Sequence, residues 1–224
     1  EEYRLKGTFY LDTERIGKWL TTSEVRRISE FNEVGAHTIT HRDLTKMAAN
    51  EALWEITESK KRLEAIIEKP VVSFAYPYGS YNENVVGLVT EAGFLSSRTT
   101  EPFNTDLDKE PYKLKVTLWA YPQSYRQLLT AVRRLKLYCI ITNPQLLKRW
   151  SKLAELLLER LVEKGDGIFH VLIHADAIEE RSEWAKLENI FNQIRSMKDK
   201  RKICTITEYI SDVRQSCGHL CGRM

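Results

Sequence analysis

The sequence predicts an α/β domain in which parallel strands are linked by helices. Three observations carry this. Short apolar or β-branched runs alternate with longer stretches of helical periodicity, the pattern of βαβ units. The 224 residues suit one such domain better than two, and fall slightly short of the about 250 common for a complete parallel barrel. Polar residues suited to chemistry stand at the ends of several apolar runs, where the βα loops of a barrel converge on one mouth.

The first run is Gly7-Thr8-Phe9-Tyr10-Leu11. A helix follows near 23–32, with Thr22 or Ser23 as its cap and Glu24 in its first turn. Val34-Gly35-Ala36-His37 is the second run. Leu44, Met47, Ala48, Ala52, Ile56, Leu63 and Ile67 recur at three- and four-residue spacing and predict one long helix over 43–68, stopped by Lys69-Pro70. The β-branched run 71–76 leads into Pro77, and a helix over 82–92 is capped by Asn82 and ended by Gly93. Residues 94–99 and 114–121 read as strands separated by a polar loop, with a helix over 123–136 after them. Residues 137–141 either extend that helix or form a strand. A helix near 145–164 ends at Gly165, and 168–175 is the clearest buried strand. A helix near 182–197, a strand over 202–206 and a C-terminal helix complete the pattern. No repeat, low-complexity tract or linker interrupts it, so one domain over 1–224 is expected.

An apolar share of 42% excludes a disordered chain. The net charge is +3, and both signs are spread along the sequence, so the basic excess names no partner. The clusters Arg133-Arg134-Leu135-Lys136 and 198–202 lack the interleaved aromatics of a nucleic-acid groove. They read as solvated helix faces or ends, and no nucleic-acid partner is expected. No apolar run approaches the ~18 residues of a membrane span. Glu1 is not an initiating Met, so the sequence leaves the true N-terminus and the location open. Cys139 and Cys204 lie in apolar runs and read as inert core residues. Cys217 and Cys221 flank His219, which would make half a zinc site or a small disulfide loop; the missing ligand argues against metal there.

The chemistry concentrates at four strand ends. His37 and His41 are four residues apart, so one helical turn after the strand would put both imidazoles on one face. Two neutral imidazoles suit a divalent ion such as zinc, with a third ligand and an open position still needed for catalysis. Such a pair alone is a weak signal. It gains weight by following an apolar strand and Gly35 and by preceding Asp43, read as a helix cap. Pro77 and Gly79 fix a tight turn, which either aims a backbone N–H into the mouth or packs Tyr78 as a lid. Arg98 ends the next strand. His174 ends the late apolar strand; taken alone it reads as a core residue, and beside a metal as a general acid. His170 shares its face but lies deeper, and reads as structural.

At these residues the sequence resembles the polysaccharide deacetylases, the NodB-homology family of carbohydrate esterases. GTFYLD resembles that family's second strand, EVGAHTITHRDLT its metal-binding His-(Ser/Thr)-x-x-His motif, FAYPYGSYN its Pro-Tyr-Gly turn, and VLIHA its late histidine motif. The resemblance runs in order along nearly the whole chain. It implies a distorted (β/α)7 TIM-like barrel that removes acetyl groups from an N-acetylated, sometimes O-acetylated, glycan. It implies one divalent metal ion, zinc first among them, held by His37 and His41. The Tyr78 N–H would stabilise the oxyanion, His174 would protonate the leaving amine, and Pro77 and Leu172 would line the substrate pocket. Two departures bear on this. The family's first strand carries an Asp-Asp pair, one a metal ligand and one the general base, upstream of the position of GTFYL. This chain has only six residues before Gly7, so that strand is expected to be missing and the chain truncated upstream. The family's Arg two residues before the turn proline is Ala75 here, and Arg98 is expected to supply the guanidinium instead. A related C–N hydrolase on a small amide and a non-catalytic carbohydrate-binding remnant are the alternatives.

Overall fold

In the computed structural model, residues 3, 5–136, 138–197 and 201–221 are described. The strands β1 (Thr8–Leu11), β2 (Glu33–Ala36), β3 (Ser73–Ala75) and β4 (Ser96–Arg98) pair in parallel and in sequence order. A bridge from Arg98 to Leu114 carries the pairing into the next segment, whose β5 (Leu118–Trp119) is parallel to β6 (Val171–Leu172). Among the described residues no strand joins β6 back to β1.

Helices cover the outside because the strands present their apolar side chains there. α1 (Thr22–Phe31), α2 (Ala49–Ile67) and α3 (Glu83–Glu91) supply Val25, Ala52, Ile56, Leu63, Val85 and Val89 to a core against Val34, Ala36, Phe74 and Tyr76. In the second half, α4 (Leu128–Leu135), the single turn α5 (Cys139–Thr142), α6 (Trp150–Lys164), α7 (Ala175–Glu180) and α8 (Trp184–Ser196) surround Leu118 and Ala120, with Trp150 at the centre. Trp150 donates its Nε1–H to Glu183 at 2.6 Å, which satisfies the indole inside an apolar cluster. Helix α9 (Ile206–Cys221) begins at the lower ends of β1 and β2, where Thr207 donates its N–H and its hydroxyl to Glu33.

The register sets the opposite face. Leu11 pairs with Ala36, Ala36 with Phe74, and Ala75 with Arg98. Cross-strand partners share a face, so Tyr10, Gly35, Ser73 and Ser96 form one row. One step toward the strand ends, Asp12, His37, Ala75 and Arg98 form the next. The lower row is polar at its core: the hydroxyls of Tyr10, Ser73 and Ser96 are buried and without hydrogen-bond partners among the described residues.

Several expected elements change. Thr21, not Thr22 or Ser23, caps α1 in a reciprocal capping box with Glu24. The expected helix over 43–68 is broken: Asp43 caps a single 3-10 turn, Leu44–Lys46, and the chain is extended at Met47 and Ala48 before α2 starts. Asp43 accepts both the N–H and the hydroxyl of Thr45, a local turn that competes with helix growth. Residues 202–206 do not form a strand, because Thr205 and Glu208 make a capping box and Ile206 is already helical. The strand over 114–121 is regular only at Leu118–Trp119, since the loop after β4 occupies one edge through Phe103 to Thr117 and Val116 to Glu101. The late strand is regular only at Val171–Leu172, and it emerges into solvent at Ile173. Residues 139–142 form a helical turn, and α7 was not anticipated. Cys204 is a free, half-buried thiol. The side chains of Cys139, Cys217, His219 and Cys221, and residues 198–200, lie outside the described structure.

Gly35 is required by its neighbour. A Cβ there would stand 2.5 Å from two ring carbons of Tyr10 and 2.8 Å from Ser73 Oγ. Gly35→Ala is therefore expected to destabilise the protein by about 1–3 kcal/mol, read as a lower urea midpoint at an unchanged denaturant slope.

Candidate active site at the strand ends

His37 leaves β2 with its backbone held by the Leu11 carbonyl at 3.1 Å. Its Nδ1 lies 2.7 Å from the Ala75 carbonyl. A carbonyl can only accept, so Nδ1 carries the hydrogen and Nε2 keeps a free lone pair. Burial, reinforced by the Arg98 charge, pushes the imidazole down to about 3, so it is neutral at pH 7.

His41 comes beside it, with ring centroids 4.6 Å apart and planes at 77°. The expected helical turn is not what brings them together. Thr38 and His41 adopt left-handed backbone angles, φ 68° and 57°, and the chain bends rather than coils. Thr38 Oγ1 accepts the His41 N–H at 3.0 Å. Beneath the bend, the buried Glu55 of α2 accepts the N–H groups of Ile39 (2.8 Å) and Thr40 (3.0 Å) and the Thr40 hydroxyl (2.6 Å). Sequence reasoning missed Glu55. The available signal was an acidic residue on the apolar face that carries Ala52, Ile56 and Leu63.

Tyr78 occupies the middle of the 3-10 turn Pro77–Gly79 with φ 58°. Its ring is exposed and meets His41 edge-on at 4.7 Å, so it flanks the histidines rather than packing as a lid. Among the described residues its N–H donates to no backbone carbonyl. Gly79 is forced twice over: its φ is 69°, and a Cβ would come within 2.8 Å of the Thr100 backbone nitrogen. Pro77 is buried beneath the turn.

Arg98 is 7% exposed and has no carboxylate partner among the described residues. Its guanidinium lies over the Tyr10 ring at 5.0 Å and makes one long contact, 3.4 Å, to the Thr99 carbonyl. It therefore points inward. Its charge helps lower the pKa values of His37, His41, His170 and His174. Asp12, in the same row, pairs with Arg15 at 3.2 Å. Burial raises its pKa, and the charges of Arg15 and His41 oppose that rise.

His174 precedes α7 and stacks on Tyr121 at 5.8 Å. Burial, then Arg98, lowers its pKa; Asp176 works the other way. At this rim of strand ends, the His174 charge adds to the lowering of His37 and the His41 charge to that of His174. Two clefts open there. One of about 620 Å³ is lined by His41, Lys46, Met47 and Tyr78, and one of about 290 Å³ by Tyr121, His174, Asp176 and Arg181. Leu172 is buried in β6 below His174. His170, deeper still, donates Nδ1–H to the Lys115 carbonyl at 2.8 Å and is structural. Among the described residues no group of three or more His, Cys, Asp or Glu is assembled to hold a metal ion.

The polysaccharide deacetylase family profile matches residues 1–96. That match covers less than half of the chain. YxkH of Bacillus subtilis, named as a polysaccharide deacetylase, is 26% identical over 117 residues, 51% of this chain and 42% of its own. The match thus spans less than half of that relative. A solved structure from Mycobacterium smegmatis, also named as a polysaccharide deacetylase, has a TM-score of 0.68 at 18% identity and covers 96% of this chain and 74% of its own. A CE4 family pseudoenzyme from Bacillus anthracis has a TM-score of 0.54 at 16% identity over 93% of this chain and 57% of its own. These two share the α/β fold, the distorted barrel of parallel strands, and at such identities nothing more.

Two outcomes follow from this geometry. Glu55→Gln removes part of the support beneath the histidine bend. It is expected to cost about 1–3 kcal/mol and to speed hydrogen exchange at the Ile39 and Thr40 amides more than in α6. His37 and His170 titrate near 6.5 in the unfolded chain but near 3 and 4 in the folded one. The unfolded state therefore takes up protons first. Their contribution to stability is complete above about pH 6.5 and is lost as pH falls toward those folded values, on the order of 1.4 kcal/mol per pH unit for each. Urea midpoints should drop between pH 7 and pH 5, and less steeply in His170→Asn.

Proposed function

We propose that this chain is a metal-dependent deacetylase-type barrel domain over 1–224 that acts on acetylated carbohydrate, N-acetyl before O-acetyl. The observation that carries the reading is the free Nε2 lone pair of His37, fixed by the Ala75 carbonyl and set beside His41. Both histidines are held in the uncharged form that a metal needs. The donor pair fits one divalent ion, with zinc the first choice for two imidazoles. The described residues supply no assembled third donor; Asp12 is the nearest carboxylate in the row and is engaged with Arg15. A divalent ion held by the pair would supply Lewis-acid polarisation of an acetyl carbonyl and activation of water at neutral pH.

The remaining roles belong to this chain's own groups. The Tyr78 N–H, without a backbone acceptor, is available to an oxyanion, a contact worth about 3–4 kcal/mol where one such donor has been removed from other enzymes. Pro77 and the left-handed Tyr78 hold that donor in place. His174 is the candidate proton donor to a leaving amine. Its lowered pKa means that it must first gain a proton, which Asp176 favours. Arg98 holds positive charge at the centre of the mouth, and Leu172 lines the apolar side below His174.

A second reading is a non-catalytic carbohydrate-binding remnant, favoured by the unpaired Arg98 charge and the incomplete donor set. Zinc titration and an acetate-release assay on chitin oligomers, peptidoglycan and acetylxylan separate the two. The hydrolase reading expects one equivalent of zinc bound weakly, with binding lost in both His37→Ala and His41→Ala, and acetate released on zinc addition. Zinc binding that survives both substitutions, or glycan binding with no acetate released, would reject it.

A further inference from the structure

The segment 111–154 contains nine Lys or Arg and no Asp or Glu, in a chain with 31 acidic residues. Three of its cations are neutralised from elsewhere: Lys113 by Glu83 and Glu110, Arg134 by Glu101, and Lys152 by Glu155. Arg126, Arg133, Lys136 and Arg149 are exposed and form no ion pair among the described residues. On α4, Ala131 and Leu135 face the core. Leu129 and Arg133, four residues apart, lie on the opposite side with Lys136 at its end, and Arg126 stands in the 3-10 turn Tyr125–Gln127 just before the helix. Leu129 is 75% exposed between the two arginines. On α5, which packs against α4, Ile140 is buried while Ile141 is 55% exposed, and Tyr138 just before it is 72% exposed.

We infer that the outer face of α4 and α5 docks on an anionic lipid surface. The argument is one of complementarity. A solvated helix face accounts for the cations but not for three large apolar side chains standing in water among them. A soluble polyanion would neutralise the cations and leave Leu129 and Ile141 where they are. A lipid headgroup layer meets both needs: anionic headgroups pair with Arg126, Arg133 and Lys136, while Leu129, Tyr138 and Ile141 enter the boundary with the acyl chains. Among the described residues no helix is long and apolar enough to cross a membrane, so this contact is peripheral. The inference does not depend on the metal or on the hydrolytic reading, because none of these side chains lies in the mouth.

The test is vesicle flotation of the 224-residue chain with phosphatidylcholine alone and with added phosphatidylglycerol. The protein is expected to float with the anionic vesicles only and to be released by high salt. Arg126→Gln with Arg133→Gln should lower the partition about 25-fold, since each cation at such a surface contributes about fivefold. Leu129→Ser with Tyr138→Ser and Ile141→Ser should lower it more than tenfold. All five positions are exposed, and unchanged circular dichroism and melting temperature would show that the variants are folded. Equal binding to neutral vesicles, no binding to anionic ones, or a serine variant that binds undiminished would overturn the inference; the last would mark a patch for a soluble polyanion.

Discussion

A single hydrogen bond, from His37 Nδ1 to the Ala75 carbonyl, organises the mouth of this fold. It ties the end of β2 to the end of β3, fixes the tautomer, and leaves one ring nitrogen directed elsewhere. It is available because the strands are in parallel register, which sets Asp12, His37, Ala75 and Arg98 abreast. A larger side chain than alanine between His37 and Arg98 would have to share that space. The bend that follows His37 needs its own support, and Glu55 provides it from α2. Helix, bend and strand end therefore act together: the outer helix fixes the loop, and the loop fixes where His41 meets His37.

The second constraint is charge. Among the described residues Arg98 is buried without a carboxylate, and the histidines around it are pushed toward the neutral form. Moving an unpaired ion out of water costs several kcal/mol even after the protein relaxes, so a fold keeps such a group only when something offsets it. The Tyr10 ring face offsets part of this through a cation–π contact. Below it, the three buried hydroxyls of Tyr10, Ser73 and Ser96, without partners among the described residues, make the interior row polar rather than oily. This interior is suited to placing charge and not to maximising stability. Stability comes instead from the two apolar clusters outside the strands, one built on Val34, Phe74 and Ile56 and one on Leu118, Trp150 and Leu157.

Much of this was legible in the sequence, and the failures have physical causes. The order of strands and helices followed from periodicity, because β2 and β3 bury their side chains on two faces and α2 on one. The histidine pair was found by spacing, but the spacing was read as a helical turn. Thr38 and His41 adopt left-handed angles that neither residue type advertises, held by the Thr38 hydroxyl and by Glu55 beneath the bend. The strand over 202–206 was misread because apolar content outweighed the Thr205-x-x-Glu208 cap in plain view. The length of the late strand was overestimated because Ile173 is apolar yet exposed. Arg98 was singled out by its place at a strand end; nothing local in its run distinguishes a buried guanidinium from a solvated one.

The fastening of α9 onto the lower ends of β1 and β2 affects how the fold is reached. Thr207 and Ile206 grip Glu33 and Thr8 across separations of 174 and 198 residues. Closing loops of that size is entropically unfavourable, and contacts so distant in sequence slow the search for the native state. Helices α1 to α3 and their strands can gather around Ile56 and Phe74 early, from neighbours in the chain. The contacts that fasten Thr8 and Glu33 form only when the segment near residue 206 arrives, so this end of β1 and β2 is completed late.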